Sequence, residues 1–319
     1  MAGLLVLWAA AAALAGEAKA KLALETYVQR LGYRTIKFQL NKHNHLITRC
    51  TVFGKERETI VDTCCPVTTL DETLSNGLQT LEAAGIKLED PILGARVAPT
   101  ALVVIPTLAC GELRFFNQPA MVDNLRTVLG LEHRLMIGFD FLLRYHALLD
   151  CRHGRLHVRG AKPSKEAAAA LEETLRRSGY SPVPFHMAVS WYPACEATFQ
   201  GQPVKLLVDT GAVWSLVDKR LVERTRLKTR ATAAEALALS TKYPMPVDFA
   251  KVKSLELSGV CLEQVEFGVV SPKFWELGDQ KLIPKDVDGL LGADFLVLYG
   301  AVIDCSARKL WLDANPKRK

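Results

Sequence analysis

An apolar run that ends in Asp-Thr followed by two small residues occurs twice in this chain. The copies are Thr59-Ile60-Val61-Asp62-Thr63-Cys64-Cys65 and Leu206-Leu207-Val208-Asp209-Thr210-Gly211-Ala212, 147 residues apart. A short motif recurs by chance, so its flanks decide whether the chain is duplicated. At the same offset Arg30 matches Arg177, Gly32-Tyr33 matches Gly179-Tyr180, and Phe38 matches Phe185. Gly54 matches Gly201, Asp71 matches Asp218 and Leu74 matches Leu221. The offset then grows to 154. There Ile137-Gly138-Phe139-Asp140-Phe141-Leu142 aligns with Leu291-Gly292-Ala293-Asp294-Phe295-Leu296, Tyr145 with Tyr299, and Asp150-Cys151 with Asp304-Cys305. So many matches in one order predict a tandem duplication, with copies over roughly 20–160 and 166–315. At 319 residues and 49% apolar content, each copy is long enough to bury its own core.

Charge adds little. The net charge is only +6, and the one basic block, Lys317-Arg318-Lys319, reads as a solvated tail, so no nucleic-acid partner is expected. Leu4 to Ala15 is an apolar run too short to span a bilayer comfortably. Ala13-Leu14-Ala15 follows the small-x-small cleavage rule, so residues 1–16 read as a signal peptide, with a mature start near Gly16. An uncleaved anchor is the alternative, since the usual basic residues before the apolar run are missing. Glu17 stands where a lipidated cysteine would be required, which argues against lipidation. The expectation is an exported protein without stable membrane insertion. Eight cysteines are then free to form disulfides, and their spacing does not select a connectivity. No CxxC pair or compact Cys/His cluster suggests zinc, and His43, His45, His153 and His157 read as surface or strand residues.

Each copy opens on a predicted helix, Ala20 to Leu31 and Lys165 to Arg177, closed by Gly32 and Gly179. Short β-rich runs follow, including Leu102–Ile105, Lys205–Val208, Val265–Val270 and Ala301–Asp304. Pro182 and Pro184 require extended backbone. Short helices are expected over Leu142–Tyr145 and Leu296–Tyr299, with Asp140 and Asp294 capping their starts. The domain reading is a first repeat over 17–160, a linker helix and extended segment over 161–186, and a second repeat over 187–319.

These residues resemble the aspartic peptidases, in particular the retropepsin-like group and its pepsin-like relatives. The second copy carries the resemblance best. Val208-Asp209-Thr210-Gly211-Ala212 is followed by Asp288-Gly289-Leu290-Leu291-Gly292-Ala293-Asp294-Phe295-Leu296, in the order that family uses. The resemblance implies an all-β fold: two retropepsin-like (acid protease) β-barrel halves in pseudo-twofold arrangement, each preceded by a short helix. It implies a hairpin flap per half, within about 90–105 and 234–250. It further implies Asp62 and Asp209 as the catalytic pair. Thr63 and Thr210 would cross-bond the loops beneath it, with Gly211, Ala212, Cys64, Gly138 and Gly292 supporting them.

The chemistry explains why two carboxyl groups are needed. Held within hydrogen-bond reach, they cannot both ionise cheaply, so one keeps a proton while the other acts as base. The base activates a water that attacks a peptide carbonyl, and the protonated partner stabilises the oxygen that gains charge. Neither metal nor cofactor is called for, and the partner is a polypeptide substrate. The first copy departs from the pattern. Cys64 stands where the second copy has Gly211, and Arg134 stands where it has Asp288. Cys64 and Cys65 are either free thiols or disulfide-bonded, to each other or elsewhere. Three readings follow: a monomeric enzyme with an intrachain pseudo-dimer, a degenerate relative that binds polypeptide without cleaving it, and an enzyme using Asp209 in a homodimer.

Overall fold

The computed structural model describes residues 24–41, 45–80, 102–125, 134–188, 192–236, 244–272 and 286–313. The signal stretch, the basic tail, His43 and most of the first expected flap lie outside them. The described chain is mostly β, with Lys165–Arg177 its one long helix.

Each half builds its site-bearing layer in the same order. In the first, the hairpin of Leu46–Val52 and Lys55–Val61 delivers the chain to Asp62. Lys55–Val61 runs parallel to Leu135–Ile137, with Val61 opposite Ile137. Thr69–Asp71 then pairs antiparallel to the far side of Leu135–Ile137 and parallel to Leu113–Asp123. In the second, Pro193–Phe199 and Gln202–Val208 form the hairpin, and Gln202–Val208 runs parallel to Gly289–Leu291. Leu216–Asp218 pairs with Gly289–Leu291 and with Val265–Val270 in the same two senses. A three-residue apolar strand thus separates the strand before each Asp-Thr loop from the strand after it, and the loop is forced to turn at its end. Both three-residue strands are wholly buried, which fits their continuous Leu/Met/Ile and Gly/Leu composition.

A separate six-stranded sheet joins the halves. Its order is Arg34–Lys37, Arg155–Val158, Leu148–Asp150, Val302–Asp304, Lys309–Asp313, Tyr180–Pro184. The seam is Leu148–Asp150 against Val302–Asp304. Pro182 and Pro184 lie on its edge strand, the position where a missing N–H is tolerated. The helix Lys165–Arg177 starts at Ser164, whose Oγ accepts from Ala167 N at 3.2 Å. It buries Leu171 and Leu175 beside Val28, Tyr33 and Trp311, so the helix over 24–30 and this one share a single apolar cluster.

Two expectations need correction. The short helices are Phe139–Arg144 and Ala293–Leu298, three residues earlier than Leu142 and Leu296. Gly138 and Gly292 hold the N-cap positions, so Asp140 and Asp294 lie inside the first turn, where Asp294 Oδ1 does accept from Phe295 N at 2.7 Å, while the amides of Phe139, Asp140, Ala293 and Asp294 are turned to loop carbonyls. Of the cysteines, Cys50 and Cys110 form a disulfide, while Cys64, Cys65, Cys151, Cys195, Cys261 and Cys305 are free. The bridge follows from register. Thr51 pairs with Ala109, so Cys50 and Cys110 are the next residues along two adjacent strands. In the second half Thr198 pairs with Glu256, so the corresponding pair is Ala197 beside Leu257, two apolar residues.

The bridge spans a sequence separation of 60 residues. Closing a loop of that length restricts the unfolded chain, so replacing both cysteines by alanine should lower unfolding stability by about 2–4 kcal/mol. Chemical denaturation of oxidised protein and of the double variant measures it.

Candidate active site

Asp62 and Asp209 meet where the two loops converge. The backbone N–H of each donates at 3.0 Å to the last carbonyl of the neighbouring buried strand, Asp62 to Ile137 and Asp209 to Leu291. Those bonds fix where each side chain leaves the sheet. The two carboxyl groups hydrogen-bond to each other. Asp62 is 5% exposed, whereas Asp209 is partly exposed.

The next residue of each loop crosses to the other half. Thr63 N donates to Thr210 Oγ1 at 3.0 Å, and Thr210 N donates to Thr63 Oγ1 at 3.0 Å. Each hydroxyl spends its proton on the opposite half as well. Thr63 Oγ1 donates to Val208 O at 2.5 Å, and Thr210 Oγ1 donates to Val61 O at 2.8 Å. Both threonines are fully buried. A hydroxyl is the group this position needs, since it must accept from one amide and donate to one carbonyl at once.

Beyond the threonine the halves differ. Gly211 N donates to Asp209 Oδ1 at 2.9 Å, and Ala212 N to the same oxygen at 3.1 Å. A side chain on Gly211 is impossible here, because its Cβ would lie 2.3 Å from Asp62 Oδ2. Cys64 keeps the amide contact of its own loop, donating to Asp62 Oδ1 at 2.7 Å. Its thiol turns away from that bond and contacts Val208 O at 3.5 Å in the other half. There it packs against the apolar cluster of Tyr192, Leu207 and Leu290. Cys65 is buried, with Sγ 2.9 Å from Val67 O. Burial and the nearby carboxylates push both thiols well above the usual range, so neither is a ready thiolate.

The short helices clamp the loops from below. Phe139 N donates to Cys65 O at 2.7 Å and Ala293 N to Ala212 O at 2.8 Å. The backbones approach so closely that a Cβ on Gly138 would be 2.6 Å from Val67 C, and one on Gly292 2.5 Å from Trp214 C. Asp140 Oδ1 accepts from Thr68 N at 2.7 Å and Thr68 Oγ1 at 2.8 Å. Asp294 Oδ1 accepts from Ser215 N and Ser215 Oγ, both at 2.8 Å. Thr68 and Ser215 were not singled out from the sequence. They sit at the 147-residue offset of the repeat, and a hydroxyl at both positions was the available signal. Arg134 and Asp288, which differ in charge, share a backbone role: their carbonyls accept from Asp71 N and Asp218 N. The side chains are matched locally, Arg134 to Asp71 at 2.8 Å and Asp288 to Arg224 at 3.1 Å.

Burial dominates the electrostatics. It raises the Asp62 carboxyl to about 6, against the opposing pull of the Cys64, Cys65 and Gly211 amides. Asp209 is pushed well above its ordinary value, by burial and then by the negative charge of Asp62. The two carboxyls therefore titrate as a pair that holds one proton above the usual carboxylate range. Burial also raises Asp140 to about 6 and lowers His157 to about 4. Among the described residues, no group of three or more His, Cys, Asp and Glu is arranged to hold a metal ion.

The aspartyl protease family model matches residues 195–295, the stretch from the second hairpin through the start of the last short helix. That match associates this part of the chain with peptide hydrolysis by aspartates. No curated protein matches the chain.

Two outcomes follow from this geometry. Thr210→Val keeps the shape but leaves Thr63 N and Val61 O buried without partners, which should cost about 3 kcal/mol of stability by denaturant unfolding. The raised carboxyls favour the folded state below their unfolded value of about 3.9, an advantage lost as pH climbs through about 6. His157 works in the opposite sense, its contribution being complete above about 6.5 and lost as pH falls through about 4. With more carboxyls than imidazoles affected, the melting temperature should rise from pH 7 to pH 5. Asp140→Asn should flatten that slope.

Proposed function

We propose that this protein is an aspartic endopeptidase whose catalytic pair, Asp62 and Asp209, comes from two related halves of one chain in pseudo-twofold arrangement. One observation carries the reading: two carboxyl groups in mutual hydrogen bond, on loops tied to each other by four threonine hydrogen bonds. A pair placed there for structure alone would be costly, because burying two carboxyls in contact forces one to hold a proton. As a catalytic device the same cost is useful.

The ionised member of the pair takes a proton from a water lying between the carboxyls. The water oxygen attacks the scissile carbonyl carbon, and the protonated member donates a hydrogen bond to the carbonyl oxygen as it becomes an oxyanion. Collapse of the tetrahedral intermediate returns a proton to the leaving nitrogen. No covalent enzyme intermediate forms. The working state has one carboxyl ionised and the other protonated, so activity should rise with pH through about 6.

The substrate is a polypeptide, bound between the halves under a flap. In the second half that flap is the hairpin of Thr229–Ala236 and Met245–Val252, whose tip lies outside the described residues. We place the working protein outside the cytoplasm, as a monomer after loss of residues 1–16. Cys64 does not argue for a dead site, since its amide makes the bond to Asp62 that Gly211 makes to Asp209.

Asp62→Asn and Asp209→Asn, made separately, should each reduce cleavage of an unfolded protein at least ~100-fold. Loss on the Asp209 change alone, with activity rising steeply with protein concentration, would identify a homodimeric site. Absence of cleavage by the unaltered protein, with retained peptide binding, would identify a binding module.

A further inference from the structure

A local excess of positive charge lies away from the carboxyl pair. Between residues 219 and 230 the chain carries Lys219, Arg220, Arg224, Arg226, Lys228 and Arg230 against the single acid Glu223. The net charge of the whole chain is +6, so this stretch holds most of its excess. Three of these side chains are answered within the second half: Arg220 by Asp218 at 2.7 Å, Arg224 by Asp288 at 3.1 Å and Arg230 by Glu266 at 3.2 Å. Lys219, Arg226 and Lys228 are exposed and make no ion pair among the described residues. The fold does not ask for this charge. After its equivalent strand, Thr69–Asp71, the first half also turns into a short helix, with Glu72 at the place of Lys219 and Thr73 at the place of Arg220. Its residues 72–80 hold no lysine or arginine.

Lys219 and Arg226 border a cavity of about 450 Å³, between the short helix Lys219–Arg224 and the strand Met245–Val252 of the second flap hairpin. Val222, Leu227 and Val269 give it an apolar wall. Glu223 and, from the flap strand, Asp248 bring carboxylates to the same space, and neither is ion-paired among the described residues. Met245 lines the cavity and also packs on the apolar cluster of Tyr192, Leu207 and Leu290 that Cys64 touches, so the cavity and the carboxyl pair border one cluster. The volume suits a small ligand or a few side chains. A phosphate, a nucleic acid or a flat anionic lipid surface would meet Glu223 and Asp248 and leave the apolar wall unused. A polypeptide segment uses all three kinds of group. Its acidic side chains face the unpaired cations, its apolar side chains enter the cavity, and its backbone N–H groups meet the two carboxylates.

We propose that this surface docks a polypeptide segment that interleaves acidic and apolar side chains, outside the catalytic cleft. Its use in choosing substrates rests on the peptidase reading above; the binding itself does not. A substrate carrying such a segment near its scissile bond is held at two places, and docking at this surface raises its effective concentration in the cleft.

Binding is read on Asp62→Asn protein, so that no cleavage intervenes. The probes are fluorescein-labelled peptides of alternating Glu and Leu, with Gln–Leu and Lys–Leu peptides for comparison, followed by fluorescence anisotropy. The Glu–Leu peptide should bind about 10-fold more tightly than the Gln–Leu peptide, and added salt should weaken it. Lys219→Glu combined with Arg226→Glu should abolish that preference and transfer it to the Lys–Leu peptide. Both positions are exposed, and Glu72 already occupies the first half's equivalent of Lys219, so the variant should keep the melting temperature of the parent. Equal affinity for the Glu–Leu and Gln–Leu peptides overturns the proposal, as does a preference that survives the charge reversal. Phosphatidylserine vesicles bound through Lys219 and Arg226 more tightly than the Glu–Leu peptide would assign the surface to lipid and overturn it too. With Asp62 restored, a substrate extended by a Glu–Leu tail should show a lower KM than one extended by a Gln–Leu tail, and the charge reversal should remove the difference. Peptide binding as expected by a protein that cleaves nothing would sink the peptidase reading and leave the docking surface standing. Cleavage that ignores the tail overturns the role in substrate choice and leaves the peptidase reading intact.

Discussion

The exchange between Thr63 and Thr210 is the constraint on which the site depends. Each threonine accepts the other's amide and donates to the strand that delivers the other's aspartate. Four hydrogen bonds in a fully buried spot resist separation strongly, because any parting leaves donors and acceptors without water to replace them. Electrostatics alone would drive two carboxylates apart. The threonines hold them together, and the conflict is resolved by protonation instead of movement. Burial raises the proton affinity of both carboxyls, and the threonine bonds one residue away keep them in that buried contact.

A second layer keeps those loops from flexing. Helix amides at Phe139 and Ala293 take up loop carbonyls, and Asp140 and Asp294 take up loop amides and hydroxyls. Glycine at 138 and 292 is needed for the helices to come that near. Each Asp-Thr loop is therefore held from the opposite half by threonine and from its own half by a helix start. The remaining freedom is concentrated in the side chains that follow, where Cys64 and Gly211 differ.

Much of this was legible before any coordinates. The repeated Asp-Thr motif, the Phe-Asp-Phe-Leu echo and the matched cysteine after Asp150 and Asp304 mark backbone positions whose geometry tolerates few residues. What stayed hidden depends on neighbours distant in sequence. The helix starts depend on Gly138 and Gly292 packing closely on the loops, a contact that lies outside the local sequence. The grip of Asp140 and Asp294 on the Asp-Thr loops was hidden because the hydroxyls they bind lie 72 and 79 residues earlier. The Cys50–Cys110 bridge needed strand register, which a single sequence does not carry. The direction taken by the Cys64 thiol needed the cluster around Tyr192.

The seam of the six-stranded sheet has a consequence for how the molecule is born. Leu148–Asp150 pairs with Arg155–Val158 in its own half, but its other edge finds a partner in Val302–Asp304, and Thr63 finds its own in Thr210. A nascent chain emerging from its N-terminal end can assemble the first hairpin and its buried strand early, but the seam waits for the last strands of the second half. Contacts between residues so far apart form slowly, since the entropy of closing the intervening chain is lost before they reward it. The two carboxyls therefore come together only once both halves have been made.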